Sequence, residues 1–148
     1  PMSSFPQLNV VIAGDKSVGK SSLIKSFIPN TNDGSSVEDG NYTTNVMIKR
    51  QKFTMKITEH SDYQQSNINK DTVHTQVLVY DIANQASMDF VNKWVFQNRT
   101  GAPTILLANR CDLFPTDIDG KEGILSYGYC RQFKITPDDV MKLCSKYY

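Results

Sequence analysis

Residues 14–21 read Gly-Asp-Lys-Ser-Val-Gly-Lys-Ser, a complete G-x-x-x-x-G-K-[ST] pattern. Its chemistry is that of a phosphate cradle. Gly14 and Gly19 let the backbone wrap an anion, and successive N–H groups with a following helix N-terminus supply positive potential. The Lys20 ammonium can reach terminal phosphates, and the Ser21 hydroxyl can join a Mg²⁺ shell. Gly14, Lys16, Ser17, Val18, Gly19, Lys20, Ser21 and Ser22 are therefore candidate nucleotide contacts, and Ser21 is also a candidate metal ligand.

The flanking elements suit that role. Leu8–Ala13 is an apolar run that reads as a buried strand, and residues 22–28 carry Leu23, Ile24, Phe27 and Ile28 on one face of a short helix. Pro29 stops this pattern, and residues 29–43 form a polar loop. Residues 46–50 and 53–58 read as a hairpin linked at Arg50-Gln51-Lys52. Residues 59–75 have little apolar periodicity and are expected to be a poorly ordered connection. Val77–Ile82 and Thr104–Ala108 are further buried-type strands around a helix at 87–98, which carries Met88, Val91, Trp94 and Val95. Residues 113–134 look like an insertion. Thr136-Pro137-Asp138-Asp139 opens a last helix, with Thr as N-cap and Pro at N1, bearing Val140, Met141, Leu143 and Cys144.

Strands alternating with helices predict an α/β fold, mostly parallel with one antiparallel hairpin strand and helices on both faces. The 148 residues suit a single domain with an N-terminal tail at 1–7. A net charge of +1 makes no case for nucleic acid or an anionic membrane as partner. Cys111, Cys130 and Cys144 fit neither a disulfide framework nor a zinc site, which suggests a reduced, cytoplasmic setting. His60 and His74 lack metal spacing and are expected on solvated loops; Trp94 is expected in the core. Asp138 and Asp139 read as helix-start charges, and Tyr127, Tyr129 and Phe133 as a loop folded onto the core.

A second cluster, Asn109-Arg110-Cys111-Asp112, follows the last apolar strand. In an open α/β sheet this is the edge where the phosphate loop also lies. The Asp112 carboxylate can accept two parallel hydrogen bonds from the N–H and amino pair that guanine presents and adenine does not. Asn109 can orient the loop, and the stem of Arg110 can lie over the base.

These segments resemble a small GTPase of the Ras superfamily, in its Rab branch. Val79–Trp94 is similar to the strand, D-x-x-S-F turn and tryptophan-bearing helix of Rab proteins, and Leu107–Leu113 resembles their L-x-G-N-K-C-D-L. The resemblance implies GTP or GDP with Mg²⁺ as ligands, two nucleotide-sensing switch loops, and a place in intracellular transport. It also implies a switch threonine on Mg²⁺. Thr44 is the candidate, ahead of Thr43 and Thr31.

Several positions depart from the family. Its D-x-x-G motif falls on Glu59-His60-Ser61-Asp62, so that Asp62 would set a carboxylate where a glycine amide serves the γ-phosphate. No residue plainly replaces the water-orienting glutamine, with Gln64 and Gln65 only nearby. Lys16 and Ser17 stand where small residues are usual; Lys16 either binds phosphate or points to solvent. No aromatic follows the first helix to cover the base. The family's last strand and helix are expected to be missing or atypical, through truncation or completion by a partner or oligomer. No terminal cysteine offers prenylation, so no direct membrane anchor is expected.

The resulting expectation is a guanine-nucleotide-binding domain with impaired or absent hydrolysis, acting with protein partners as effector or complex subunit. The alternative is a pseudo-GTPase adaptor that binds partners independently of nucleotide. An ATP-using kinase or ATPase is disfavoured by the Asn109/Asp112 pair.

Overall fold

The computed structural model describes residues 5–28, 36–38, 40–63, 68–109, 138, 141–143 and 145. The 113–134 segment, with Tyr127, Tyr129, Phe133 and Cys130, lies outside them, as do Thr31, Gln64, Gln65, Arg110, Cys111, Asp112, Val140 and Cys144. In order the chain forms β1 (Gln7–Ala13), α1 (Lys20–Phe27), β2 (Ser36–Glu38), β3 (Asn41–Ile48) and β4 (Gln51–His60), then β5 (Thr75–Asp81), α2 (Gln85–Gln97) and β6 (Thr104–Asn109). The six strands make one sheet ordered β2-β3-β4-β1-β5-β6.

β1 pairs in parallel with β4 and β5, and β5 in parallel with β6. The β2–β3 and β3–β4 pairs are antiparallel. The expected class holds, with one more antiparallel pair than the sequence suggested. β3 also starts earlier than expected, inside the segment read as loop. Its Tyr42, Thr44 and Val46 alternate with Asn41, Thr43 and Asn45, and hydroxyl and amide groups at all of these positions but Val46 mask the period-2 signal.

Strand alternation divides the core between two faces. Val11, Ala13, Leu78 and Tyr80 pack with Met88, Val91 and Trp94 of α2 on one side. Ile12, Ile57, Tyr42 and Val79 pack with Ile24 and Ile28 of α1 on the other. β5 serves both layers, so it reads as an unbroken apolar run rather than an alternating one. Trp94 is fully buried, as expected for a core residue. Of the apolar residues assigned to α1, Phe27 is exposed while Ile24 and Ile28 face the sheet. Asp138, Met141, Lys142, Leu143 and Ser145 are helical, and Leu143 reaches the α2 layer. Among the described residues no helix is long and apolar enough to cross a membrane.

The turn into α2 is fixed by polar contacts among Asp81, Asn84 and Ser87. Ser87, fully buried, accepts from the Asp81 amide at 2.9 Å and donates to the Asn84 carbonyl at 2.6 Å. Asn84 caps the helix by accepting from the Ala86 amide at 3.0 Å.

The hairpin link is Lys49-Arg50, one residue earlier than expected, with φ of 48° and 67°. A two-residue turn of this kind needs positive φ at both positions, because only that twist matches the strands. Neither side chain suits it. Replacing the pair, Lys49→Asn with Arg50→Gly, should stabilise the domain by about 1 kcal/mol; urea unfolding measures it.

His60 ends β4 and is half-buried, its ring centroid 5.3 Å from that of Trp94. It is not on a solvated loop as expected, whereas His74 is exposed and accepts from the Asn9 amide at 2.9 Å. Burial lowers the His60 pKa below its ordinary value. As pH falls through about 6.5, the unfolded chain takes up this proton before the folded one. Stability must therefore decline with pH in that window, until the folded histidine also titrates. His60→Phe should flatten this part of the profile relative to the parent chain in denaturation series between neutral and mildly acidic pH.

Candidate nucleotide-binding site

The chain moves from β1 to the β3–β4 side of the sheet and then to β5 on the other side. This reversal opens a crevice at the carboxyl end of β1, where open α/β sheets bind ligands. The phosphate loop leaves β1 at that point.

Two glycines are forced by space. A Cβ on Gly14 would stand 2.6 Å from the Val79 carbonyl oxygen, too close to a backbone atom of β5. Gly19 has φ of 93°, and a Cβ there would collide with the Asn109 side-chain amide. Ser17 is also left-handed, with φ of 67°, which turns the loop tightly into α1. The first turn of α1 holds no acidic residue and its N-terminus has no side-chain cap, so its amides remain suited to an anion.

Lys20 is buried, at 3% exposure, and its Nζ donates to the carbonyls of Gly14 at 2.7 Å and Asp15 at 2.8 Å. Burial lowers its pKa, against the opposing fields of Glu59 and Asp15. The loop thus spans its own ammonium, which stands beside the cleft. That cleft holds about 460 Å³ and is lined by Lys16, Ser17, Gly19, Lys20, Ser21, Ser22, Glu59 and Ser61. Lys16 is exposed at its rim, and its amide donates to the Asp15 carboxylate at 2.8 Å. Val18 is buried against the α1 layer.

β4 delivers the third side. Its register sets Glu59 opposite Ile12 and His60 opposite Ala13, and the Gly14 amide donates to the His60 carbonyl at 3.2 Å. Glu59 then accepts from the Ser21 hydroxyl on Oε1 at 2.8 Å and from the Tyr42 hydroxyl on Oε2 at 3.0 Å. Burial, then the Glu59 contact, raises the Tyr42 pKa. A carboxylate and a hydroxyl form an all-oxygen donor set, which fits a hard divalent cation such as Mg²⁺. Asp62, expected in the glycine position, is exposed.

From the far side of the cleft, Asn109 at the end of β6 donates from Nδ2 to the Val18 carbonyl at 2.6 Å. This bond joins the phosphate loop to the end of β6, 91 residues away. Its partners there, Arg110 and Asp112, lie outside the described residues.

Thr44 is not brought to Ser21. It is buried within β3, opposite Met55. That is four residues, or roughly 13 Å at strand rise, from the Glu59 level. Thr43 lies beside it, opposite Lys56. Glu59 and Ser61 lie in the stretch aligned with D-x-x-G but were not among the expected contacts. Tyr42 falls in no motif, because only the β3–β4 register carries it to the site.

Gly14→Ala should cost about 1–3 kcal/mol, since β1 or β5 must shift to admit the methyl group. Thermal unfolding of the variant checks this, and a cost near zero would contradict the close approach.

A sequence model of the Ras family matches residues 9–142. Ras-related protein RabZ of Dictyostelium discoideum is 26% identical over 116 residues, which cover 70% of this chain and 51% of that protein. Ras-related protein Rab-40A-like of Homo sapiens is 25% identical over 152 residues, covering 93% of this chain and 52% of that protein. The chain spans about half the length of these curated relatives. With strand, phosphate loop and helix in register and the family match running from β1 to the last described helical residues, this chain belongs to the Ras family.

Proposed function

We propose that the chain binds GDP and GTP with Mg²⁺, hydrolyses GTP slowly or not at all, and acts as a cytoplasmic regulatory or partner-binding module. The observation that carries this is the Asn109–Val18 bond, which holds the base-reading segment against the phosphate loop at one sheet edge. Nucleotide phosphates would take the loop amides and the Lys20 ammonium. Asp112 would select guanine through its paired acceptors, with the Arg110 stem over the ring. Ser21 would hold Mg²⁺, with Glu59 orienting that hydroxyl, and the cation would supply positive charge to neutralise the phosphates.

Hydrolysis needs a water aligned with the γ-phosphorus and donors for the charge that develops there. Asp62 stands where the family's motif has glycine and sets a carboxylate beside the amide that would serve the γ-phosphate, and it adjoins no glutamine. Its repulsion of the γ-phosphate implies weak discrimination between GDP and GTP. Asp62 also favours the second reading, a pseudo-GTPase adaptor whose partners bind whatever the nucleotide.

Denaturing the purified chain and chromatographing what it releases separates the two: stoichiometric guanine nucleotide supports the first, and none supports the second. Titration should then give GDP and GTP affinities within about tenfold, or 1.4 kcal/mol. A GTP preference far above that, or single-turnover hydrolysis at ordinary family rates, would sink the proposal. Asp112→Asn should shift preference toward xanthine nucleotides; unchanged guanine binding would contradict the assigned role.

A further inference from the structure

We propose that Tyr42 is a positioning residue for the divalent cation of the nucleotide site, acting through Glu59 on Ser21. The inference rests on the guanine-nucleotide reading above.

A serine hydroxyl has one proton and two lone pairs. In this site the proton goes to Glu59 Oε1, at 2.8 Å, which leaves the lone pairs of Ser21 for a cation. Where those lone pairs point is therefore set by where the Glu59 carboxylate stands. Glutamate is one methylene longer than the aspartate of the family's motif and has one more torsion to restrain. The Tyr42 hydroxyl supplies the restraint, donating to the other carboxylate oxygen at 3.0 Å.

Tyr42 is suited to this because it cannot move freely itself. Its ring is 4% exposed, packed in the cluster that includes Ile24 and Ile57. Its backbone is paired on both sides, to Val37 of β2 and to Ile57 of β4. Glu59 lies two residues beyond Ile57 on the same strand face, the diagonal neighbour that a long side chain reaches. The chain of contacts thus runs from a rigid phenol to a carboxylate, to a hydroxyl, to the cation. An outer hydrogen-bonding partner of this kind orients the ligand and tunes its metal.

The test is a Mg²⁺ titration of the full chain with fluorescently labelled GDP, following the slowing of nucleotide release. Tyr42→Phe should raise the Mg²⁺ concentration for half-maximal slowing by about tenfold, the low end for loss of an outer partner. Its labelled-GDP affinity in EDTA should match the parent, because nothing but the cation is affected. Glu59→Gln should raise the half-point at least as far, and adding Tyr42→Phe to it should bring no further change. Glu59→Asp, the shorter carboxylate of the family's motif, has one torsion fewer to restrain, so adding Tyr42→Phe to it should leave the half-point unmoved. A rise of about tenfold there would mark a fold defect of the tyrosine variant and overturn the proposal.

An unchanged half-point in Tyr42→Phe overturns the proposal, as does a further tenfold rise in the Glu59→Gln background. So does an equal loss of affinity in EDTA, which would mark a merely structural tyrosine. If the parent chain binds no labelled GDP with or without Mg²⁺, the guanine-nucleotide reading itself falls and takes this inference with it.

Discussion

A buried ammonium is the constraint on which the rest of the site depends. Lys20 is almost fully withdrawn from water, and an unpartnered charge there would cost several kcal/mol, on the order of a domain's whole stability. Its three protons need acceptors, and the loop turns the Gly14 and Asp15 carbonyls inward to provide two of them. The same loop takes the left-handed conformation at Gly19 and passes Gly14 close to the Val79 carbonyl. The acidic neighbours Glu59 and Asp15 oppose the desolvation. The same ammonium charge is what gives the loop its attraction for phosphate.

The sheet order places everything else around that charge. Because β1 sits between β4 and β5, its carboxyl end is flanked by two strand ends rather than one. β4 brings Glu59 to Ser21, and β5 with β6 brings Asn109 to Val18. Helices α1 and α2 cover opposite faces, so β1 and β5 beside the site are packed from both sides. Rigid elements of this kind hold polar groups to hydrogen-bond tolerance more reliably than loops do.

Local pattern made some of this legible. The phosphate loop is contiguous, its two neighbours are strongly periodic, and β5, α2 and β6 were recognisable within a residue or two. The β2–β3 edge was not. Its polar alternation of Asn, Thr and Tyr resembles loop composition, and pairing with β4 is what makes it a strand. His60 was misjudged for a related reason: it sits among polar residues in the chain, yet the sheet end carries its ring against Trp94. Thr44 stands two residues beyond Tyr42 on a strand that runs antiparallel to β4 and away from the site edge, so it lies further from Ser21 than Tyr42 does.

What the sequence determined alone was the chemistry available: an ammonium and a hydroxyl beside a glycine turn, an Asn-x-x-Asp cluster at a strand end, and the order of strands and helices. These depend on neighbours in the chain, where covalent geometry sets the spacing. The tertiary structure decided which groups meet. The Ser21–Glu59–Tyr42 cluster joins α1, β4 and β3, and the Asn109–Val18 bond spans most of the domain. Such contacts depend on strand register and sheet order, which arise from burying two apolar faces at once and leave no local trace in any one segment.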